Sequence, residues 1–304
     1  MKLFLPLLHY ALALVLAPLL LGVINRVKAV FAGRRGPPLL QTYFDLARLL
    51  RKGAVYSRTT TWVFRAGPVV TLAAVTLALA LVPLGAGPAV LAFSGDLFVC
   101  IYLLGLARFF TVLAALDTGS SFEGMGASRE VQFSALAEPA LLVGLVALGR
   151  ETHNLSLSAS YAAINPALWA AGGVSLALLA VAFFVVMLAE NSRIPFDDPN
   201  THLELTMIHE VMVLDHSGPD FAFITYGASL KLWVFASLLA GVIVPVREGP
   251  VWFVTAAALG GVFLAAVAVG AVESCMARLR LLRVPQILFA ALVFSALAVL
   301  LQLR

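Results

Sequence analysis

Eight stretches of the chain are nearly free of polar residues: 3–24, 67–86, 91–115, 131–149, 166–189, 222–245, 251–273 and 286–302. At about 1.5 Å per residue, runs of this length match a hydrocarbon core of roughly 30 Å. The apolar residues are continuous rather than alternating, which excludes the polar-in, apolar-out strands of a membrane β-barrel. The pattern predicts an all-α polytopic membrane protein of about eight transmembrane helices, forming a single membrane domain over 1–304. A short Pro/Gly turn, Pro83 to Pro88, is expected between the second and third spans. No internal repeat of the kind found in inverted-repeat transporters is visible. The first run starts at Leu3 and continues through Val23 without a break, so it reads as a retained helix.

Composition agrees with this reading. Hydrophobic residues make up 62% and charged residues 12%, with a mean hydropathy of +1.00. Ordinary soluble chains carry about 25% charged residues. That gap excludes a soluble domain, a disordered chain, a collagen and a disulfide scaffold. The net charge of +4 does not point to nucleic acid, because the cations cluster in loops. Cys100 and Cys275 are far apart and there is no CxxC, so neither a zinc site nor an iron–sulfur cluster is expected in this chain.

Eight spans put both termini on one side. Loops 25–66, 116–130, 190–221 and 274–285 then share the other side and hold 14 of the 20 Lys and Arg residues. Lys2, Arg150, Arg247 and Arg304 lie opposite, and Arg108 and Lys231 fall inside spans. The positive-inside rule makes the basic loops cytoplasmic and both termini non-cytoplasmic. Functional loops should therefore face the cytoplasm.

In the first of these loops, Gln41, Asp45, Arg48 and Lys52 are spaced i, i+4, i+7 and i+11, opposite Leu39, Tyr43, Ala47 and Leu50. This is an amphipathic helix lying in the interface, either a surface anchor or the wall of a lateral opening. The second loop, Asp117 to Glu130, is rich in Gly and Ser and reads as a flexible docking surface. Ser128 is expected to cap the next helix, with Glu130 at its positive end. The third loop, from Glu190, holds seven carboxylates if Asp220 is included, against one cation, Arg193. Thr201 to Leu214 is expected to be helical, with Leu205, Ile208 and Met212 toward the bundle and Glu204 and Glu210 toward protein or water. His202, His209 and His216 are seven apart, about 10 Å per step on a helix, so they cannot share a metal. The carboxylates and histidines form either a proton relay through water or a solvated acidic loop.

Charges within spans are functional suspects, because burying them in hydrocarbon costs several kcal/mol. Arg108, Lys231 and Glu138, just before Pro139, lie within spans, while Glu190 and Glu273 close two of them. A carboxylate in an apolar setting suits reversible proton transfer. The alternative is ion pairing that locks helices together, for example Arg108 or Lys231 with Glu138.

Several motifs now carry a resemblance. Arg35-Gly36-Pro37, followed by Gln41, Asp45 and Leu49-Leu50-Arg51-Lys52, resembles the first cytoplasmic loop of the subunit 1 family of respiratory complex I, the NADH–quinone oxidoreductase. Ala189-Glu190-Asn191-Ser192-Arg193-Ile194-Pro195-Phe196-Asp197 is similar to that family's signature after its fifth span. Leu116 to Ser120, with Gly126-Ala127-Ser128-Arg129-Glu130, is closer to the membrane subunit of formate hydrogenlyase and other group 4 nickel–iron hydrogenases. Asn200, His202 and Asp215-His216-Ser217 depart from the complex I pattern and favour the hydrogenase-type branch.

The resemblance implies a membrane anchor and ion-coupling subunit with no cofactor of its own. It implies partners: a nickel–iron large subunit and an iron–sulfur small subunit in a cytoplasmic arm, and antiporter-like membrane subunits beside this chain in the cytoplasmic (inner) membrane. By this reading Glu138, Glu190, Glu204, Glu210, Asp215 and His209 couple protons. Arg35, Gln41, Asp45, Arg129 and Asp197 form an arm-docking surface or a quinone-like cavity, and Arg108 and Lys231 are the intramembrane cations. A quinone-reducing complex and a stand-alone ion or solute transporter are the alternatives.

Overall fold

The computed structural model describes residues 3–85, 87–197 and 207–303. Among them ten α-helices follow one another: α1 Phe4–Phe31, α2 Gln41–Leu50, α3 Trp62–Leu81, α4 Asp96–Asp117, α5 Ser121–Thr152, α6 Leu157–Ala163, α7 Pro166–Glu190, α8 Gly218–Ile243, α9 Val251–Cys275 and α10 Val284–Leu301. All but α2 and α6 are long and apolar enough to span a membrane, so the chain is a multi-pass all-α membrane protein. Eight crossings create two faces. The terminal face carries 82–85, 87–95, 153–165 and 244–250; the loop face carries 32–61, 191–197, 207–217 and 276–283.

The bundle is organised around α8. In its apolar stretch 72% of residues are buried, against 44% or less in every other span. It packs against α1, α3, α7 and α9, and α2 lies against its loop-side end. The remaining spans form a rim in which α3 meets α4, α4 meets α5, and α10 sits between α5 and α7. Small residues permit the close crossings. A Cβ on Gly67 would lie 2.8 Å from Ala114 Cβ, so the α3–α4 contact depends on the missing side chain.

Side chains from neighbouring elements close the helix ends. Asp117 ends α4 and accepts from the backbone N–H groups of Thr61 (2.7 Å) and Phe64 (3.2 Å), which open α3. Asn165 caps α7 by accepting from Leu168 N–H at 2.8 Å. Asp96, fully buried at the start of α4, accepts from Leu157 N–H at 2.6 Å and Ser156 Oγ at 2.8 Å, and so anchors α6.

Three expectations are corrected. The connection between α3 and α4 runs from Val82 to Gly95, so the third span starts at Asp96 rather than 91. The second loop is largely absent: α5 begins at Ser121, ten residues before the expected start, and Ser128 lies inside it with Oγ donating to Met125 O. The third correction is the expected helix from Thr201 to Leu214. Its first part lies outside the described residues, and the rest holds a single 3₁₀ turn, Glu210–Val213. Asp197 Oδ2 takes the N–H groups of Ile208 (3.0 Å) and His209 (3.1 Å), so a side chain replaces the helical acceptors there.

Candidate functional site

Arg108 lies on the buried stripe of α4, in line with Ile101, Leu104 and Val112. Its guanidinium has five donors in a fixed fork and here serves three carboxylates. Nε is 3.0 Å from Glu130 Oε1, Nη2 is 2.5 Å from Glu190 Oε1, and Nη1 pairs with Glu138 Oε1. Lys231 Nζ of α8 reaches the other oxygen of Glu190 at 2.8 Å. Glu190 is the last residue of α7, where the helix dipole disfavours a carboxylate. Its two cations offset that penalty.

Glu130 and Glu138 both belong to α5 but differ in surroundings. Eight residues are about 2.2 turns, an offset of roughly 80° around the helix. The side chain of Glu130 is accordingly 7% exposed and that of Glu138 43%. Glu138 reaches inward to Arg108 while its outer side faces away from the bundle.

The third loop closes over this group. His209 Nε2 lies 3.1 Å from Glu130 Oε2, and its Nδ1 is 4.0 Å from Asp197 Oδ2. Asp197 in turn pairs with Arg278 Nη2 at 2.9 Å. Arg129 Nη1 donates to Met207 O at 2.8 Å, which holds the returning end of the loop against α5. Burial by itself would lower the His209 imidazole, but the adjacent Glu130 carboxylate reverses this and holds it above its ordinary value. Glu210 is pushed up by burial. With His209 protonated, Arg108, Lys231 and His209 balance Glu130, Glu138 and Glu190 charge for charge.

A cavity of about 230 Å³ opens among Arg108, Glu130, Glu190, His209, Glu210 and Lys231. Beside it a second group forms, in which Glu273 of α9 pairs with Lys28 of α1 at 2.8 Å and Arg193 of the loop at 3.5 Å. Burial lowers the Arg193 guanidinium, and the Glu273 and Glu210 carboxylates oppose that shift.

The structure thus brings Glu138, Glu190, His209, Glu210, Asp197, Arg108 and Lys231 together. Lys231 pairs with Glu190 rather than Glu138. Glu204 lies outside the described residues. Asp215 sits apart on the loop, its N–H donating to Glu123 Oε1 at 3.1 Å. Arg35 is exposed on the loop face, and Gln41 donates to Asp45 within α2, where Asp45 also pairs with Arg48 at 3.2 Å. These three form a surface set on or beside α2, separate from the buried cluster.

Sequence reasoning placed Glu273 at the end of a span without a partner, and missed Glu130 as a member of the buried ion-pair group, along with the buried Glu123. For α5 a signal was available. Glu123, Ala127, Glu130, Phe133, Ala137, Leu141 and Gly144 recur at three- and four-residue steps and form its buried face. The glycines and serines of 119–128 hid that period.

Comparison with known proteins is consistent over the whole chain. A family model described as NADH dehydrogenase matches residues 4–303. Formate hydrogenlyase subunit 4 of Escherichia coli (strain K12) is 32% identical over 304 residues, covering 96% of each chain. Hydrogenase-4 component C of the same organism is 35% identical over 236 residues, 76% of this chain and 72% of that one. A chain in the structure of the membrane-bound sulfane sulfur reductase, an archaeal respiratory membrane complex, superposes with a TM-score of 0.81. That chain is 21% identical, with 99% of this chain and 100% of that chain covered, and so speaks for the fold.

Proposed function

The chain belongs to the NADH dehydrogenase family, and from that premise we propose that it is the membrane anchor and ion-coupling subunit of a hydrogenase-type, complex I-like redox assembly. The observation that carries this reading is the run of charge from Asp197 through His209, Glu130 and Arg108 to Glu190 and Lys231, with Glu138 at its edge. It links the loop face to the membrane interior. A soluble arm docked on the loop face would shift the 191–217 segment, move His209 relative to Glu130 and change the proton affinity of the whole group. Glu138, half-exposed on the rim, would pass that change to a neighbouring antiporter-like subunit. A carboxylate left facing lipid is costly, and a partner helix would remove that cost.

In this reading the loop face is cytoplasmic and the membrane is the cytoplasmic one. The arm supplies a nickel–iron large subunit and an iron–sulfur small subunit, which fits relatives named for formate hydrogenlyase and hydrogenase-4. This chain carries no cofactor itself. The test is ion movement in inverted membrane vesicles holding the whole complex. In Glu130→Gln and Glu138→Gln, electron transfer should continue while the accompanying proton or sodium movement falls several-fold. Unchanged ion movement in both variants sinks the coupling role. Co-purification with nickel- and iron-containing proteins tests the assembly separately.

A second reading has its own support. The 230 Å³ cavity mixes its charged groups with Met212, Val213, Phe221 and Ile224, a lining that suits an amphiphilic ring such as a quinone. Cross-linking of a photoreactive quinone at these residues would favour a quinone-reducing complex.

A further inference from the structure

Beyond Lys231, toward the terminal face, α8 is apolar through Trp233, Val234 and Phe235 until Ser237, about 9 Å further along its axis. Ser237 is 4% exposed and its hydroxyl finds no protein partner. His9 of α1, 5% exposed, lines the same small cavity. Its Nε2 lies 3.0 Å from Thr255 Oγ1 of α9, while Nδ1 finds no protein partner. That cavity measures about 10 Å³, room for about one water molecule. Buried polar atoms of this kind are ordinarily met by ordered water.

Two more cavities adjoin it. One, also about 10 Å³, shares Ser237 and Leu84 and is bounded by Tyr161 and Arg247. The other, about 460 Å³, lies at the terminal face and is lined by Pro83, Gly85, Gly87, Pro88 and Tyr161, among others. Its walls share Pro83, Gly85 and Tyr161 with the second cavity and Pro88 with the first. Gly87 is the partition. A Cβ there would stand 3.2 Å from Leu5 Cδ2 and 3.3 Å from both Nδ1 and Cε1 of His9, so a side chain would press on the ring from the side of the large cavity.

We propose that His9, Thr255 and Ser237 form a water-holding, proton-accepting site that is reached from the terminal face. Nε2–H donates to Thr255 Oγ1, and the Nδ1 lone pair is turned toward water. A hydronium ion arriving through the large cavity gives its proton to Nδ1 and leaves as water, so mass and charge balance. The titratable and charged groups around these cavities are Tyr10, whose hydroxyl donates to Thr76 O, Tyr161 and Arg247. Among the described residues no carboxylate lines any of the three cavities, so His9 rests neutral and takes up its proton transiently. The site stands whether or not the charged cluster couples to redox chemistry.

The test uses the full chain, ¹⁵N-labelled at histidine, in lipid nanodiscs, with His9→Phe to assign the His9 ring signals. The ring should exchange protons with water, and its nitrogen shifts should move as pH falls from about 8 to about 5. Gly87→Ala should slow that exchange by roughly an order of magnitude. A His9 ring that is dry and unmoved across this range in the unaltered protein overturns the proposal and leaves His9 as a tie between α1 and α9. Exchange that is equally fast in a folded Gly87→Ala protein overturns the route from the terminal face.

Discussion

Two arginines at opposite ends of the bundle meet opposite surroundings. Arg108, in the loop-side half, is shared by Glu130, Glu138 and Glu190, and Lys231 and His209 are drawn into the same group. Arg247, at the terminal face, donates to the carbonyls of Tyr161, Gly241, Val244 and Val246. Arg247 completes the end of α8, where backbone acceptors lack helical partners. Its neighbours are fixed dipoles, so no proton needs to move. Around Arg108 each neighbour can gain or lose a proton, and a change at one site alters the field at all the others. A group of coupled ionisable side chains can store and transfer charge, whereas an arginine on carbonyls only holds structure.

The largest effect should come from breaking the buried group. Arg108→Met leaves Glu130 and Glu190 without their shared cation and should destabilise the fold by about 3–5 kcal/mol. Thermal unfolding in detergent, followed by size-exclusion chromatography, will show the drop. On the terminal side, Asp96→Ala removes the acceptor for Leu157 N–H and Ser156 Oγ. A loss of about 1–3 kcal/mol is expected, with no change in any proton-linked behaviour. Equal losses in the two variants would erase the contrast between the halves.

Two histidines of the third loop sharpen it further. The folded protein holds His209 above its ordinary value. The folded state therefore binds the proton more tightly, and the stability this adds is present below about pH 6.5 and fades as pH rises through the folded value. His209→Gln should lower the melting temperature most at mildly acid pH and least in alkali. His216 behaves in the opposite sense. It stacks on Phe64 with ring centroids 3.9 Å apart, and burial pushes it down to about 4. The unfolded chain takes up that proton first, so stability declines as pH falls from about 6.5 toward 4. His216→Phe, which keeps the stack, should remove this decline and give the smallest change of the four at neutral pH. Melting curves across pH for both variants decide the point.

The expected charges inside spans did converge, because an ionisable residue in an apolar run has few stable places except beside its opposite. Arg108, Lys231, Glu138 and Glu190 were legible for that reason. Glu130 was not. It looked like the polar end of a loop, and only the early start of α5 turns it inward. Arg35, Gln41 and Asp45 share a motif but not a place in the cluster, since α2 lies on the loop-side surface of the bundle.

The apolar runs by themselves determined eight membrane spans, and the spacing of polar residues determined the amphipathic α2. These follow from local physics: a backbone in hydrocarbon must satisfy its own hydrogen bonds, and each helix does so within its own segment. Only the tertiary structure decided which carboxylate meets which cation. Glu130 and Glu138 differ because α5 turns about 80° between them, and His209 reaches Glu130 because Asp197 fixes the loop backbone at His209 and Arg129 holds it on α5. The Arg108–Glu190 contact joins segments 82 residues apart, and Lys28–Glu273 joins α1 to α9. No local pattern encodes them; they arise from how the spans pack around α8.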